Sequence, residues 1–580
     1  MSGKDTIRRA YDEARVLSDG GAAEDGDYAG PERDDDGDAP AGPPPAGVDG
    51  ELVRRCAALD LSDTDNAERL RTHFGGDLVV VSLDENAGGV WAVWDGRRWD
   101  RENGAAGSLK LAQRIGPRIA LEAEYLAATE GEQALLDKAE ALADDDKSAK
   151  AKAAREIAAK VGARIEARQR RRFAFAVSSK NAARVHAMLT MAAPHLRRPA
   201  SGFNQDPLLL VTETHSLRFV VEEDLDCPDP TVTRKKARVE ARPEFRREDY
   251  VTGVAPCAYD PQAKAPKFEA FLDTTMPDRD LRRTLRVYCA GGLLGVLEQK
   301  LMYHFGSGAN GKSVFLAVLM GVIGASLSVG LPKETIMGQG ERGAGQASPD
   351  LVRLLGKRMV RIDELKDNES LREDLVKRLT GGDPMVVRAL FEGYLEFPNV
   401  ATPHMSGNGK PKIDGTDEGI WRRILVVHWS ETIPEEKRRD FHEIVADLLT
   451  ERSGILNWLI AGALDYLEHG LTIAAAARQA TQEYREEMDP VRDFRERCLV
   501  AAPGRKVQAS RMYAAYIAWA KANGRSEFSA ARVGRELKRW MRRDDSGSVR
   551  FYLDVELSGE AAALVDGGAP PASWEERSGE

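Results

Sequence analysis

Apolar and polar positions change period several times along the chain. Asn66-Ala67-Glu68-Arg69-Leu70 predicts the start of a short helix. Leu78-Val79-Val80-Val81 and Val90-Trp91-Ala92-Val93-Trp94 are apolar runs around a polar turn and predict two strands. Residues 108–195 are Ala-rich with interspersed charges and predict helices. Within them, Asp144-Asp145-Asp146 to Arg172 reads as one highly charged helix. Leu301-Met302-Tyr303-His304-Phe305 predicts a buried strand, and Val314-Phe315-Leu316-Ala317-Val318-Leu319-Met320 a buried helix. Between them lies Gly306-Ser307-Gly308-Ala309-Asn310-Gly311-Lys312-Ser313. Strand-like runs follow at Arg358–Ile362, Met385–Leu390, Tyr394–Phe397, Thr402–Ser406 and Ile424–Val427. After Gly454–Ile460, which opens an amphipathic helix pair, the pattern changes near 490. A helix led by Asp489-Pro490, a second over Tyr513–Lys521 and a third over Ser529–Arg543 precede an alternating strand, Val549–Val555.

Composition sharpens this outline. A chain of 580 residues, 42% hydrophobic and 30% charged, is long enough for several cored domains. Residues 1–50 are rich in Asp, Gly, Pro and Ala, cannot bury enough apolar surface, and are expected to be disordered. Their run Asp34-Asp35-Asp36-Gly37-Asp38 reads as a solvated tail before it reads as a metal site. A net charge of -10 excludes a uniformly basic nucleic-acid coat but leaves room for local basic patches. Three such patches occur: Arg168-Gln169-Arg170-Arg171-Arg172, Arg234-Lys235-Lys236-Ala237-Arg238 in an expected loop, and the third C-terminal helix with Arg535, Lys538 and Arg539. Each could meet phosphates or form a solvated face. The five cysteines are scattered without a C-x-x-C pair, which disfavours zinc or a disulfide framework and fits a reducing cytosol. The N-terminus lacks an apolar signal region and no apolar run reaches membrane-spanning length, so a cytoplasmic protein with no membrane partner is expected. Trp91, Trp94 and Trp99 read as hairpin packing in preference to a base-stacking platform.

The chemistry centres on residues 306–313. A buried strand, a glycine-rich loop and a helix in that order form a P-loop. Glycines let backbone N–H groups curl toward phosphates, and the helix N-terminus adds its positive end. Lys312 would reach the terminal phosphates and Ser313 would ligate Mg²⁺. Downstream, Asp363 and Glu364 end a strand, placed to hold the Mg²⁺ shell and to polarise an attacking water. Arg361 interrupts that strand's apolar run. Val376 to Pro384 leads to a hairpin through Met385–Leu390, the turn Phe391-Glu392-Gly393 and Tyr394–Phe397. Thr402–Asn408 is a strand ending in a polar amide, where Asn408 could contact the γ-phosphate or the water. Arg422 and Arg423 precede a strand and could act as a finger toward a neighbouring subunit, or form surface ion pairs.

This ordered set, with Leu379-Thr380-Gly381-Gly382-Asp383 and Ile420-Trp421-Arg422-Arg423-Ile424, resembles a superfamily 3 helicase. Specifically it is similar to the phage and plasmid primase-helicase family related to the poxvirus primase-helicase. Arg247–Thr252 and Tyr259-Asp260-Pro261 resemble the family's lead-in to its ATPase, and the segment around Trp91–Trp99 its accessory domain. The resemblance implies an α/β P-loop NTPase core of the AAA+-like type, with an α+β N-terminal accessory domain and a C-terminal winged helix. The boundaries expected are 1–50, a tail; 51–265, the accessory domain; 266–441, the ATPase; 442–488, a helical connector; 489–558, a winged-helix-like DNA-binding domain; and 559–580, a tail. It also implies a homo-hexameric ring of a phage, prophage or plasmid in a bacterial cell. Such a ring uses ATP and Mg²⁺ to move 3′ to 5′ on single-stranded DNA and to unwind forked DNA, with a separate primase or initiator as a further partner.

By the resemblance, Lys312 and Ser313 take the P-loop positions, Asp363 and Glu364 the metal and water positions, and Asn408 the sensor position. Arg423, or else Arg422, takes the finger position. Lys377 and Arg388 flank the DNA-tracking hairpin. The tip lacks the expected basic residue, and Phe391 could stack on a base instead. No segment before 266 offers a polymerising-primase site. Two alternatives stay open: a nucleotide-dependent origin- or replisome-binding assembly factor, and the helicase half of a primase-helicase.

Overall fold

A computed structural model describes residues 48–82, 89–143, 146–223, 234–338, 348–365, 369–388, 394–413, 418–525 and 527–567, with the side chains of 364 and 365 excepted. The chain forms two compact units. One takes residues up to 205 with 245–252 and 392–396; the other takes 206–244, 253–391 and 397–580. Compactness thus groups 206–244 and 253–265 with the P-loop region, because Leu210, Leu217, Phe219, Ala255 and Cys257 share one core with Phe315, Leu319 and Leu459.

In the first unit, β1 (Leu78–Ser82) and β2 (Gly89–Trp94) pair antiparallel, as two apolar runs around a turn predict. With β3 (Trp99–Asp100) and β4 (Arg197–Pro199) they make a sheet of order β3-β2-β1-β4. Trp99 is 3% exposed, lies 5.9 Å from Tyr250 in a stack, and donates from Nε1 to Arg247 O at 2.9 Å. With Trp94, 5.9 Å away edge-on, this is core and hairpin packing. The charged helix runs Ala149–Ser178, starting later than the aspartate run because Ser148 caps it. Two of its terminal arginines are structural. Arg168 forms a two-pronged pair with Glu132 at 2.7 and 2.9 Å. Arg172 is buried against Glu122, which also receives Arg69 at 2.8 and 3.0 Å. The phosphate reading therefore fails for Arg172, whose guanidinium is buried on a carboxylate, while Arg168 holds a partly exposed pair.

The second unit opens with an antiparallel meander, β5 (Leu209–Val211), β6 (Ser216–Glu223) and β7 (Lys235–Arg242). The cluster Lys235–Arg238, expected in a loop, lies on β7. Cross-strand charge explains it: Lys235 faces Glu223, Lys236 faces Glu222, and Arg238 pairs with Glu222 at 2.9 Å. The centre of the unit is a parallel sheet. Its strands are β8 (Leu301–Phe305), β9 (Ser328–Leu331), β10 (Met359–Leu365), β13 (Thr402–Gly407) and β14 (Ile424–His428), in the order β14-β8-β13-β10-β9. Between them in the chain, β11 (Met385–Arg388) and β12 (Tyr394–Phe397) match the two expected hairpin strands. Leu301, Met302 and Tyr303 are fully buried, as a strand covered on both faces requires. The helix Lys312–Ile323 follows β8 directly.

The C-terminal segment runs helix Pro490–Cys498, β15 (Leu499–Gln508), helices Ala509–Ala522 and Ala530–Trp540, β16 (Arg543–Asp544) and β17 (Phe551–Leu557). The three strands form an antiparallel sheet of order β15-β17-β16 over Phe494, Met512, Tyr516, Trp519 and Leu537. Three helices and the last strand match the expectation, the third helix ending at Trp540; β15 and β16 are additional. Its register shifts between Ala501 and Lys506, where Gly504 adopts φ 77° and its N–H reaches Asp554 Oδ1 at 2.9 Å.

Candidate functional site

The loop 306–311 leaves the C-terminal end of β8, the end at which α/β sheets hold ligands. Gly308 takes φ 109° and Gly311 φ 86°, a region that favours glycine. A Cβ on Gly306 would stand 2.6 Å from Trp429 O, so the loop lies flat on that backbone. Asn310, 2% exposed, ties the loop down by donating to Trp429 O at 3.1 Å, and Ile433 N–H donates to Ala309 O at 2.8 Å. Among the described residues nothing accepts from the backbone N–H groups of Gly308 to Ser313. A row of unanswered donors at a helix N-terminus suits a phosphate. Ser307, Ala309 and Ser313 are exposed on its rim.

Lys312 is only 5% exposed. Its Nζ donates to Gly306 O at 2.9 Å, Asn310 Oδ1 at 2.8 Å and Asn408 Oδ1 at 3.2 Å. Burial pulls its pKa down to about 8. Lys312 and Asn408 are 96 residues apart in sequence. They meet because β13 lies beside β8, with Gly407 opposite Phe305.

Asp363 stands at the same end of β10. It accepts from Ser406 Oγ at 2.5 Å, and Arg361 Nε lies 2.5 Å from its other carboxylate oxygen. Glu364 follows on the strand; its side chain lies outside the described residues. Mg²⁺ commonly takes one or two protein oxygens plus substrate phosphates, so Asp363 with the Ser313 hydroxyl is a sufficient donor set.

Arg422 and Arg423 lie elsewhere. Arg423 O accepts from Leu301 N–H, and Ile424 is opposite Leu301, so both arginines precede the N-terminal edge of the sheet. About 13 Å of strand separates that edge from the loop. Arg422 is exposed, and Arg423 Nη1 donates to Gly419 O at 2.6 Å. Lys377 is half-buried on the helix Glu373–Leu379 and Arg388 is exposed at the end of β11. The tip, with Phe391, lies outside the described residues. Arg535, Lys538 and Arg539 are exposed on the helix Ala530–Trp540 and line a groove of about 920 Å³ with Tyr513 and Arg550. Lys538 pairs with Asp545 at 3.3 Å and Arg539 with Glu536 at 2.7 Å.

Sequence reasoning missed Trp429, Ser406 and a buried histidine pair. Trp429 Nε1 donates to His304 Nδ1 at 3.2 Å, and His304 Nε2 meets His404 Nδ1 at 3.1 Å. Burial lowers His404 to about 3 and His304 well below its ordinary value, so both rings are neutral. The signal available was a histidine at the fourth position of β8 and another at the third position of β13, each inside an apolar run.

The fold and loop define an α/β protein of the P-loop architecture. A family described as Poxvirus D5 protein-like matches residues 486–550. "Putative helicase L207/L206" of Acanthamoeba polyphaga mimivirus is 28% identical over 241 residues, 39% of this chain and 25% of that protein. "Primase D5" of fowlpox virus is 28% identical over 153 residues, 25% of this chain and 19% of that protein. The chain spans about a quarter or less of the length of these relatives. Among solved structures, the ligand-free C-terminal region of NrS-1 (residues 305–718) is 12% identical, with a TM-score of 0.35 over 58% of this chain and 96% of that one. The chain is thus similar over residues 486–550 to the D5-like family and, over longer stretches, to viral proteins named as a putative helicase and a primase. Among the described residues, no helix is long and apolar enough to cross a membrane.

Proposed function

We propose that the chain is an ATP-dependent DNA helicase of a phage, prophage or plasmid. It hydrolyses ATP at subunit interfaces of a homo-hexameric ring, moves 3′ to 5′ on single-stranded DNA and unwinds forked duplex. The observation that carries this reading is the convergence of Lys312, Asn310 and Asn408 on a glycine loop with free N–H donors, at the same end of the sheet as Asp363. The loop donors and Lys312 would bind the ATP phosphates, Lys312 exchanging its loop oxygens for phosphate oxygens. Ser313 and Asp363 would hold Mg²⁺, which supplies positive charge against the phosphate oxygens. Glu364 would take a proton from water as its oxygen bonds the γ-phosphorus. The bond to the β,γ-bridging oxygen breaks, leaving ADP and phosphate. Asn408 would orient the water or the γ-phosphate.

Arg423, with Arg422 beside it, is proposed to complete a neighbouring copy's site, where its charge would steady the transferring phosphoryl group. Its place at the far edge of the sheet supports this, because its own loop is out of reach. Lys377, Arg388 and Phe391 would track DNA. The helix–strand–helix–helix–strand–strand order after 490 supports a winged helix, with Arg535, Lys538 and Arg539 toward DNA. A separate primase or initiator would be its partner.

A second reading, a nucleotide-dependent assembly factor at an origin or replisome, is favoured by one observation. Asp363 is already engaged by Arg361. Forked DNA with either overhang tests the first reading: DNA-stimulated ATP hydrolysis and displacement with a 3′ loading strand are expected, and Lys312→Ala should lose both. Unwinding by Lys312→Ala would overturn it. Binding of ATP without single-turnover hydrolysis would favour the assembly factor.

A further inference from the structure

A polar row crosses the middle of the parallel sheet on one face. Ser406 is the register partner of His304, and His404 is the register partner of Arg361. His304, His404 and Ser406 follow a two-residue period with their neighbours, and Arg361 and Asp363 are two apart on β10. All five therefore point to the same side. The row itself is buried or nearly so, and so each polar group in it needs a partner.

The histidines find theirs within the row. Trp429 Nε1–H donates to His304 Nδ1, so His304 carries its proton on Nε2 and donates to His404 Nδ1. His404 then carries its proton on Nε2, which has no acceptor among the described residues. Both imidazoles are uncharged donors and neither can neutralise a carboxylate. Arg361 and Asp363 are the charged members of the row. The Arg361 side chain is 15% exposed, with neutral His404 as its register partner on β13 and Asp363 at 2.5 Å. One carboxylate oxygen of Asp363 stands 2.5 Å from Arg361 Nε as an ion pair without hydrogen-bond alignment, and the other accepts from Ser406 Oγ. Both oxygens that a metal would use are engaged.

The geometry points to Arg361 as a resident counter-cation that occupies the metal carboxylate in the nucleotide-free protein, so that a divalent cation enters only together with nucleotide phosphates. A cation arriving alone must displace a guanidinium that has no other charged partner in the row. A cation arriving with a nucleotide brings anionic oxygens that can take over part of that charge. Arg361 is thus a positioning residue that couples metal entry to nucleotide entry. This inference rests on Asp363 being the metal ligand proposed above.

Mn²⁺ binding by the full chain, followed by its paramagnetic resonance signal with and without ADP, tests the idea without turnover. The wild-type protein should bind Mn²⁺ at least about tenfold more tightly with ADP than without it. Arg361→Gln should bind Mn²⁺ without ADP about tenfold more tightly than wild type, and should lose most of the ADP dependence. Asp363→Asn should lose the site under both conditions. Equal Mn²⁺ affinity of the wild type with and without ADP overturns the inference, and this arm needs no variant. So does folded Arg361→Gln with unchanged affinity. If Asp363→Asn keeps the Mn²⁺ site, the metal-ligand reading of Asp363 fails instead.

Discussion

At the scale of single residues, Lys312 carries the sharpest consequences. Burial holds its ammonium at about 8 in the empty loop. A bound triphosphate would favour the charged form, so binding should take up a proton where the free protein has lost it. ATP affinity is therefore expected to be flat below pH 8 and to fall by up to about tenfold per pH unit above it. Calorimetry from pH 7 to 9.5 in buffers of different ionisation heat checks both the fall and the proton uptake; a flat profile would count against Lys312 as the phosphate ligand. Asn408 touches Lys312 and not the loop backbone. Asn408→Ala should leave ATP binding within a few-fold of wild type while lowering hydrolysis about 100-fold, read by nucleotide binding and single-turnover assays. The places of the glycine loop and of Asn408 are legible in the sequence, because each sits where an apolar run stops and the stops mark strand ends. Trp429, His304 and His404 were not legible. A single polar residue inside an apolar run carries no period, and its partner lies 100 residues or more away.

At the scale of elements, apolar runs predict β1, β2, β8, β10, β13 and β14 well; β1, β8, β13 and β14 are largely buried, whereas β2 is mostly half-buried. Charge runs were read less well, because a charge's role depends on what faces it. Arg172 and Arg69 share Glu122 inside the first unit, where the carboxyl is raised by burial against the pull of the two arginines. Glu122→Gln would leave two buried guanidiniums short of one charge and should lower stability by about 3 kcal/mol in urea unfolding, a large loss for one carboxylate. Lys235–Arg238 reads as a loop on its charge density, yet the strand alternates Ala237, Val239 and Ala241 with charged residues, and the acidic residues of β6 face its cations. β15 was hidden by Pro503 and Gly504, which signal a turn and here mark the break in register. The edge of β14 shows a further device. The Thr481 hydroxyl, on the helix Ala475–Met488, accepts from Val426 N–H at 3.0 Å. Thr481→Val should cost about 1 kcal/mol, measurable as a lower melting temperature with unchanged nucleotide affinity.

At the scale of the whole molecule, the parallel sheet separates two parts of the proposed machinery. Lys312, Asn408 and Asp363 gather at the C-terminal ends of the strands, whereas Arg422 and Arg423 precede the N-terminal end of β14. No rotamer bridges that distance within one copy, so an arginine that acts on the phosphates must come from another. The sequence order of the motifs does not reveal this, since strand order in space differs from strand order in the chain. The measurement that tests the shared site most directly is ATP hydrolysis by mixed assemblies of Arg423→Ala and Glu364→Gln chains. Each variant alone should be inactive. An equal mixture should recover up to about a quarter of wild-type hydrolysis, the share of interfaces that combine an intact glutamate with an intact arginine. Activity no greater than that of the separate variants, or full activity of Arg423→Ala alone, would contradict the account.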